Sequence, residues 1–307
     1  MINRELIRIK VVQLAYAYYQ NGDKTLEEAE KEFLFSLDKS YELYNTLLLL
    51  MVSIDHMAHR MVEVEVNRAH RLQLRDDIPT KFINNRFLAQ LRNNEQLRSF
   101  QEKNNVWGDE DDFLRRMYKR ILEQPFYKEY AQSGPGSYEE DREVWRKIYR
   151  QLICDNDELD EILEDRSLYW NDDKAIVDTF VLKTIRRFDS GQGPWQPLLP
   201  EFKDDEDRKY AVTLFRTAIK NSDYYTKLIS ERTQNWEVNR ICTMDLLIMQ
   251  VALAEITSFP DIPLNVSINE YVEIAKAYST PRSGSFINGM LDNIAKGLIA
   301  DGVIDKN

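Results

Sequence analysis

Residues 239–296 read NRICTMDLLIMQVALAEITSFPDIPLNVSINEYVEIAKAYSTPRSGSFINGMLDNIAK, and three helices can be parsed from them. Residues 241–256 are apolar almost all round, which predicts a buried central helix. Ser267 and Glu270 have the spacing of a capping box and predict a helix over 268–278. Thr280-Pro281-Arg282-Ser283-Gly284 reads as a turn. Residues 285–296 then return to an amphipathic pattern, with Asn288-Gly289 in the first turns. A helical glycine costs about 1 kcal/mol against alanine, so this position calls for a missing side chain, as in a close helix crossing, or an exposed backbone.

Outward from this stretch the chain keeps reading as helix. Asp204 to Asp207 place carboxylates at a helix start, where the dipole favours them. Tyr210, Leu214 and Ala218 mark that helix's apolar face, and another helix is expected over 224–233. At the other end Asn3 is a cap for a helix over 3–19. Leu6, Ile9, Gln13 and Tyr16 share one of its faces, and Arg4 and Arg8 stand four apart on another. Asn21-Gly22 stops it. Thr25 and Glu28 form a second capping box, and an apolar pattern follows through Phe33, Leu37, Tyr41, Tyr44 and Leu48, as far as Met61.

The middle differs in texture. Arg68, Arg71, Arg75, Lys81, Arg86, Arg92 and Arg98 form a basic stretch interrupted by Asp76, Asp77 and Glu95, as expected of solvated helix faces. One helix is predicted from Asp109 to near Tyr130. Ser133-Gly134-Pro135-Gly136 is the clearest break, and Ser137 with Glu140 opens a helix holding Trp145, Ile148, Tyr149 and Leu152. Residues 155–165 are acidic, a helical pattern resumes over 175–188, and a Gly/Pro linker surrounds Trp195.

The 307 residues are 43% hydrophobic, enough for a real core. Only 10 Gly and 9 Pro occur, which favours long helices over many short strands. No run of about 18 apolar residues is present, so no membrane span is expected. The first ten residues lack an apolar signal core, and Cys154 and Cys242 are too few for a disulfide framework, so a cytoplasmic protein is expected. The net charge of -11 argues against coating nucleic acid by bulk attraction and leaves room only for placed local contacts.

The last third closely resembles the end of NusB, the bacterial transcription antitermination family. The resemblance rests on Arg240-Ile241 before a buried helix, Ala254-Glu255, Asp261-Ile262-Pro263, Ile268-Asn269-Glu270 with Ala275-Lys276, and Phe286-Ile287-Asn288-Gly289 with Leu291-Asp292. The first helix, with Arg8, Gln13 and Tyr16, resembles the family's arginine-bearing first helix. NusB proteins are about half this long. The expected architecture is therefore all-α: residues 1–60 and 204–307 form a NusB-like helical core, interrupted by a helical insertion over 61–203.

The resemblance implies an antitermination factor that binds boxA, a short single-stranded RNA element, together with the ribosomal protein NusE, and acts on RNA polymerase during ribosomal RNA synthesis. Single strands are held by cations and stacked aromatics. Arg4, Arg8, Arg282, Tyr16 and Phe286 would supply both, with core packing as the competing role for Phe286. The family's first helix is typically richer in arginine. One rival is the NusB-like domain that accompanies some RNA methyltransferases. The chain ends just after the domain, and its middle lacks a Gly-rich cofactor loop. The other rival is an interaction module that has lost RNA binding.

No enzyme is expected, because no dinucleotide, phosphate-loop or nucleophile-elbow motif occurs. No cofactor or metal is expected either. His56 and His59 stand three apart near Asp55 and Glu63, but no HExxH pattern occurs and a third ligand is unspecified. Residues 155–165 lack the ligand spacing of a calcium loop.

Overall fold

The structure, a computed structural model, describes residues 1–73, 80–232 and 241–306. Arg75, Asp76, Asp77, Thr233 and Arg240 lie outside them. The chain is all-α. Its first half holds α1 (Arg4–Asn21), α2 (Leu26–Arg71), α3 (Arg86–Arg92), α4 (Glu95–Gln101), α5 (Asp111–Glu123), α6 (Pro125–Gln132) and α7 (Tyr138–Ile148). Then follow α8 (Asp157–Arg166), α9 (Lys174–Arg187), α10 (Asp205–Lys220), α11 (Ser222–Arg232), α12 (Thr243–Ser258), α13 (Leu264–Tyr278) and α14 (Ser283–Ala300). Among the described residues the one β feature is an isolated parallel bridge between Ile2 and Phe202.

Local chemistry sets most helix ends. Asn3 caps α1 by accepting the Leu6 N–H at 2.9 Å, and Gly22 ends it in the left-handed region at φ 61°, a conformation that costs glycine little. Thr25 and Glu28 bond reciprocally ahead of α2, as do Ser137 and Glu140 ahead of α7. Asp204 caps α10 through the Asp207 N–H at 3.1 Å. Three expectations change. The single helix expected over 109–130 is two, because Pro125 lacks an N–H and starts α6. The helix after Ser137 finishes in a π-helical turn, Tyr149–Ile153. Ser267 does not cap α13, which starts a turn earlier at Leu264 after Pro263.

The chain forms two compact units, one of residues 2–38 with 202–307 and one of residue 1 with 39–201. This division, between residues 38 and 39, and the boundary expected at residue 60 both fall inside α2.

In the first unit α12 packs against α1, α10, α11, α13 and α14. Every residue from Leu247 to Ile256 is buried, as expected for a helix apolar on all sides. Phe33 of α2 stacks on Phe215 of α10, with centroids 4.7 Å apart. Fully burying side chains of this size contributes roughly 1.5–3 kcal/mol each.

The other unit is built on Phe82, Phe87, Trp145, Tyr149 and Phe188, all essentially solvent-free. Phe82 meets Trp145 at 5.5 Å and Phe87 meets Phe188 at 5.4 Å. Three residues of its basic stretch are ion-paired. Arg86 pairs with Asp141 at 2.7 Å, Arg92 with Asp55, and Arg98 with Glu95 at 4.0 Å.

The two glycines of α14 have different roles. A Cβ on Gly284 would meet Lys276 Cγ at 3.1 Å and Val272 Cγ1 at 3.6 Å, so Gly284 is what lets α13 and α14 approach. Gly289 is exposed and a Cβ there would meet nothing within 4 Å. Of the two roles open to it from sequence, close packing is excluded. Gly289→Ala is therefore expected to stabilise this unit by about 1 kcal/mol in urea unfolding. Destabilisation would show that the site is not open.

Candidate nucleic-acid interface

Of the five residues implied by resemblance, Arg8 is the one that is buried. It is 4% exposed. Its Nε and Nη2 donate to the two carboxylate oxygens of Glu255 at 2.8 and 3.0 Å, and its Nη1 donates to Glu270 at 3.0 Å. Both edges of the guanidinium are thus engaged. Where a phosphate contact was expected, Arg8 makes a structural tie that holds α1 to α12 and α13.

Glu255 is solvent-free. Besides Arg8 it accepts from Ser267 Oγ at 2.7 Å, Tyr271 Oη at 3.1 Å and Tyr210 Oη. Burial would raise its pKa, but the Arg8 hydrogen bonds and charge, with help from Tyr210 and Ser267, hold it below the ordinary glutamate value. Burial would likewise lower Arg8, and the bond to Glu255 keeps it raised instead. Burial and the same carboxylate push Tyr210 and Tyr271 up, so both remain donors. Near this carboxylate, burial lowers the Lys306 ammonium. A buried ion is tolerated only when paired and hydrogen-bonded throughout; the Arg8–Glu255 pair meets that condition, whereas Lys306 Nζ has no hydrogen-bond partner among the described residues.

The other four residues reach solvent to different degrees. Arg4 is 45% exposed at its side chain, 3.4 Å from Asp207, with its Cζ 4.9 Å from the Tyr210 ring centroid. Tyr16, near the far end of α1, is 37% exposed. Arg282 is exposed and makes no ion pair among the described residues; Phe286, one turn on, is half-buried. The turn that carries Arg282 is fixed from below. Buried Asp245 accepts from Ser279 Oγ at 2.6 Å and from Ser283 Oγ at 2.9 Å. Arg4 and the Arg282–Phe286 pair therefore sit on separate helix N-terminal turns. No hydrogen bond, ion pair or ring contact among the described residues joins the two.

His56 and His59 belong to the other unit. His59 Nε2 is 3.7 Å from Asp55 and 3.1 Å from Arg92 Nη1, so a guanidinium already occupies the anion beside them. Among the described residues no three His, Cys, Asp or Glu side chains are grouped to hold a metal ion. No helix among the described residues is long and apolar enough to cross a membrane.

Residues 2–38 and 202–307 thus form a helical unit with a buried arginine–carboxylate tie and, on a braced outer turn, an exposed arginine one turn from a half-buried phenylalanine. The chain belongs to the NusB family. A family model described as "NusB family" matches residues 189–296. A transcription antitermination protein NusB from Salinibacter ruber is 35% identical over 132 residues, 41% of this chain and 82% of that protein. A protein of the same name from Geotalea daltonii is 35% identical over 43% of this chain and 89% of its own length. A solved structure of T. maritima NusB, also 35% identical, covers 38% of this chain and 82% of that one, with a TM-score of 0.29.

Proposed function

We propose that the unit of residues 2–38 and 202–307 acts as a transcription antitermination factor, binding boxA-type single-stranded RNA together with NusE and joining the RNA polymerase antitermination complex. Residues 61–203 are then an insertion into a NusB-like core. The observation that carries the reading is membership of a family in which two relatives named for transcription antitermination are matched over more than four-fifths of their own length. The Arg282–Phe286 pair supports it, because its cation and half-buried ring suit a phosphate and a stacked base. Arg4 and Tyr16 complete the proposed contact set. The role is assembly rather than catalysis, and the chain's acidity suits docking of a basic ribosomal protein.

The burial of Arg8 favours a second reading, an interaction module without RNA binding, because it removes one of the few cations of the first helix. Titrating boxA RNA into the full chain with and without NusE separates the two. Binding that tightens with NusE is expected. NusE binding with no boxA affinity would leave the interaction module.

A further inference from the structure

The unit of residues 39–201 contains a cavity of about 350 Å³ between α2, the end of α4 and the start of α5. Leu49, Trp107 and Leu114 give it apolar walls. Four polar side chains line it without any hydrogen bond among the described residues: Ser53, His56, Gln101 and Asn105. Ser53, His56 and Arg60 project from successive turns of α2, so one helix face forms a whole side. Arg60 is matched within the cavity, its Nη1 and Nη2 donating to Asp111 at 3.1 and 2.6 Å. Burial lowers the His56 pKa, and the charges of Arg92, His59 and Arg60 add to this. The cavity is thus electrically balanced, apolar-walled and supplied with unused neutral donors and acceptors. It is of a size that holds small ligands.

Such a lining suits a neutral, planar nitrogen heterocycle. Amide side chains match the paired donor and acceptor of adenine. Outside the cavity, the α5 stripe that starts at Asp111 continues one and two turns on through Arg115 and Lys119. Both are exposed and make no ion pair among the described residues. In a chain of net charge -11, two exposed cations beside the pocket, of which Arg115 also feels the Asp111 carboxylate, are suited to the phosphates flanking a base.

We propose that this cavity takes one unstacked adenine base of a single-stranded RNA, with Arg115 and Lys119 holding the adjoining phosphates. It is a second RNA subsite, within residues 39–201, and goes beyond the boxA reading.

The test uses the full chain, a short labelled oligoadenylate without a boxA sequence, oligouridylate of equal length, and free adenosine. Oligoadenylate is expected to bind about tenfold tighter than oligouridylate, from one or two added hydrogen bonds. The exposed pair Gln101→Ala and Asn105→Ala should abolish that preference and adenosine binding while leaving the salt dependence unchanged. Arg115→Ala with Lys119→Ala should flatten the log–log salt slope by about 1.4, at about 0.7 per phosphate on single strands, and spare adenosine binding. Arg4→Ala with Arg282→Ala should leave oligoadenylate binding intact, so failure of the boxA site and failure of this one are separable. Equal affinity for the two oligomers, or an unchanged preference in the Gln101/Asn105 variant, would overturn the base site. Adenosine binding as tightly as oligoadenylate would overturn the strand.

Discussion

Replacing Arg8 by alanine is expected to destabilise the NusB-family unit by about 3–5 kcal/mol, the usual cost of leaving one half of a buried ion pair behind. The carboxylate left in place, Glu255, is solvent-free and would keep only the Ser267, Tyr210 and Tyr271 hydroxyls. Glu255→Ala should cost a similar amount, because it strands the Arg8 guanidinium with Glu270 alone. The double variant should cost much less than the sum, and that shortfall measures the pairing. Urea unfolding followed by far-ultraviolet dichroism reads all three; an Arg8→Ala cost under about 1 kcal/mol would show the tie to be no stronger than a surface pair. The pH dependence has a definite sign. Glu255 is held below its ordinary value of 4.5, so its contribution is complete above that value. It is lost as pH falls through the lower, folded pKa. The parent should therefore lose more stability on acidification below 4.5 than Glu255→Gln does. Equal acid sensitivity in the two proteins would remove Glu255 from the account.

Much of this unit could be read from the chain because its cues are local. Asn3, Gly22, Thr25 with Glu28, and Asp204 each act within four residues, and each sits where its side-chain or backbone chemistry places it. The apolar run after Cys242 announced α12 in the same way. What failed depended on distance in sequence. Arg8 and Glu255 are 247 positions apart, and spacing on α1 alone put Arg8 on a solvent stripe with Arg4. One signal was present: Glu255 is a carboxylate inside an otherwise apolar helix, and a buried anion requires a cation from somewhere. Ser267 misled for a related reason. Its capping-box spacing with Glu270 was genuine, yet both side chains were committed to the Arg8–Glu255 cluster, and Pro263 had already begun the helix. Gly289 shows the same limit. The sequence flagged a helical glycine, but only the structure distinguishes open space there from the tight crossing at Gly284.

With Arg8 interior, recognition of boxA RNA is expected to depend on Arg4, Arg282 and Phe286. The double change Arg4→Ala and Arg282→Ala should flatten the salt slope by roughly 1.4 if each residue neutralises one phosphate. Neither change should affect folding much, since Arg4 is 45% exposed, with one long contact to Asp207 and a cation–π approach to Tyr210 worth about 0.5–1 kcal/mol at an exposed site. Phe286→Ala should behave differently. Stacking carries no charge, so affinity should fall by about 1–3 kcal/mol with little change in slope. If Phe286 serves packing instead, the loss moves from affinity to unfolding. It should stay below the roughly 3–5 kcal/mol of a fully buried phenylalanine, because the ring is only half-buried. Arg8→Ala is the control that ties structure to function. Under conditions where it remains folded, its boxA affinity and salt slope should equal the parent's, because its guanidinium is buried and engaged by Glu255 and Glu270. A slope reduced by about 0.7 in folded Arg8→Ala would instead mean that the Glu255 tie opens when RNA binds.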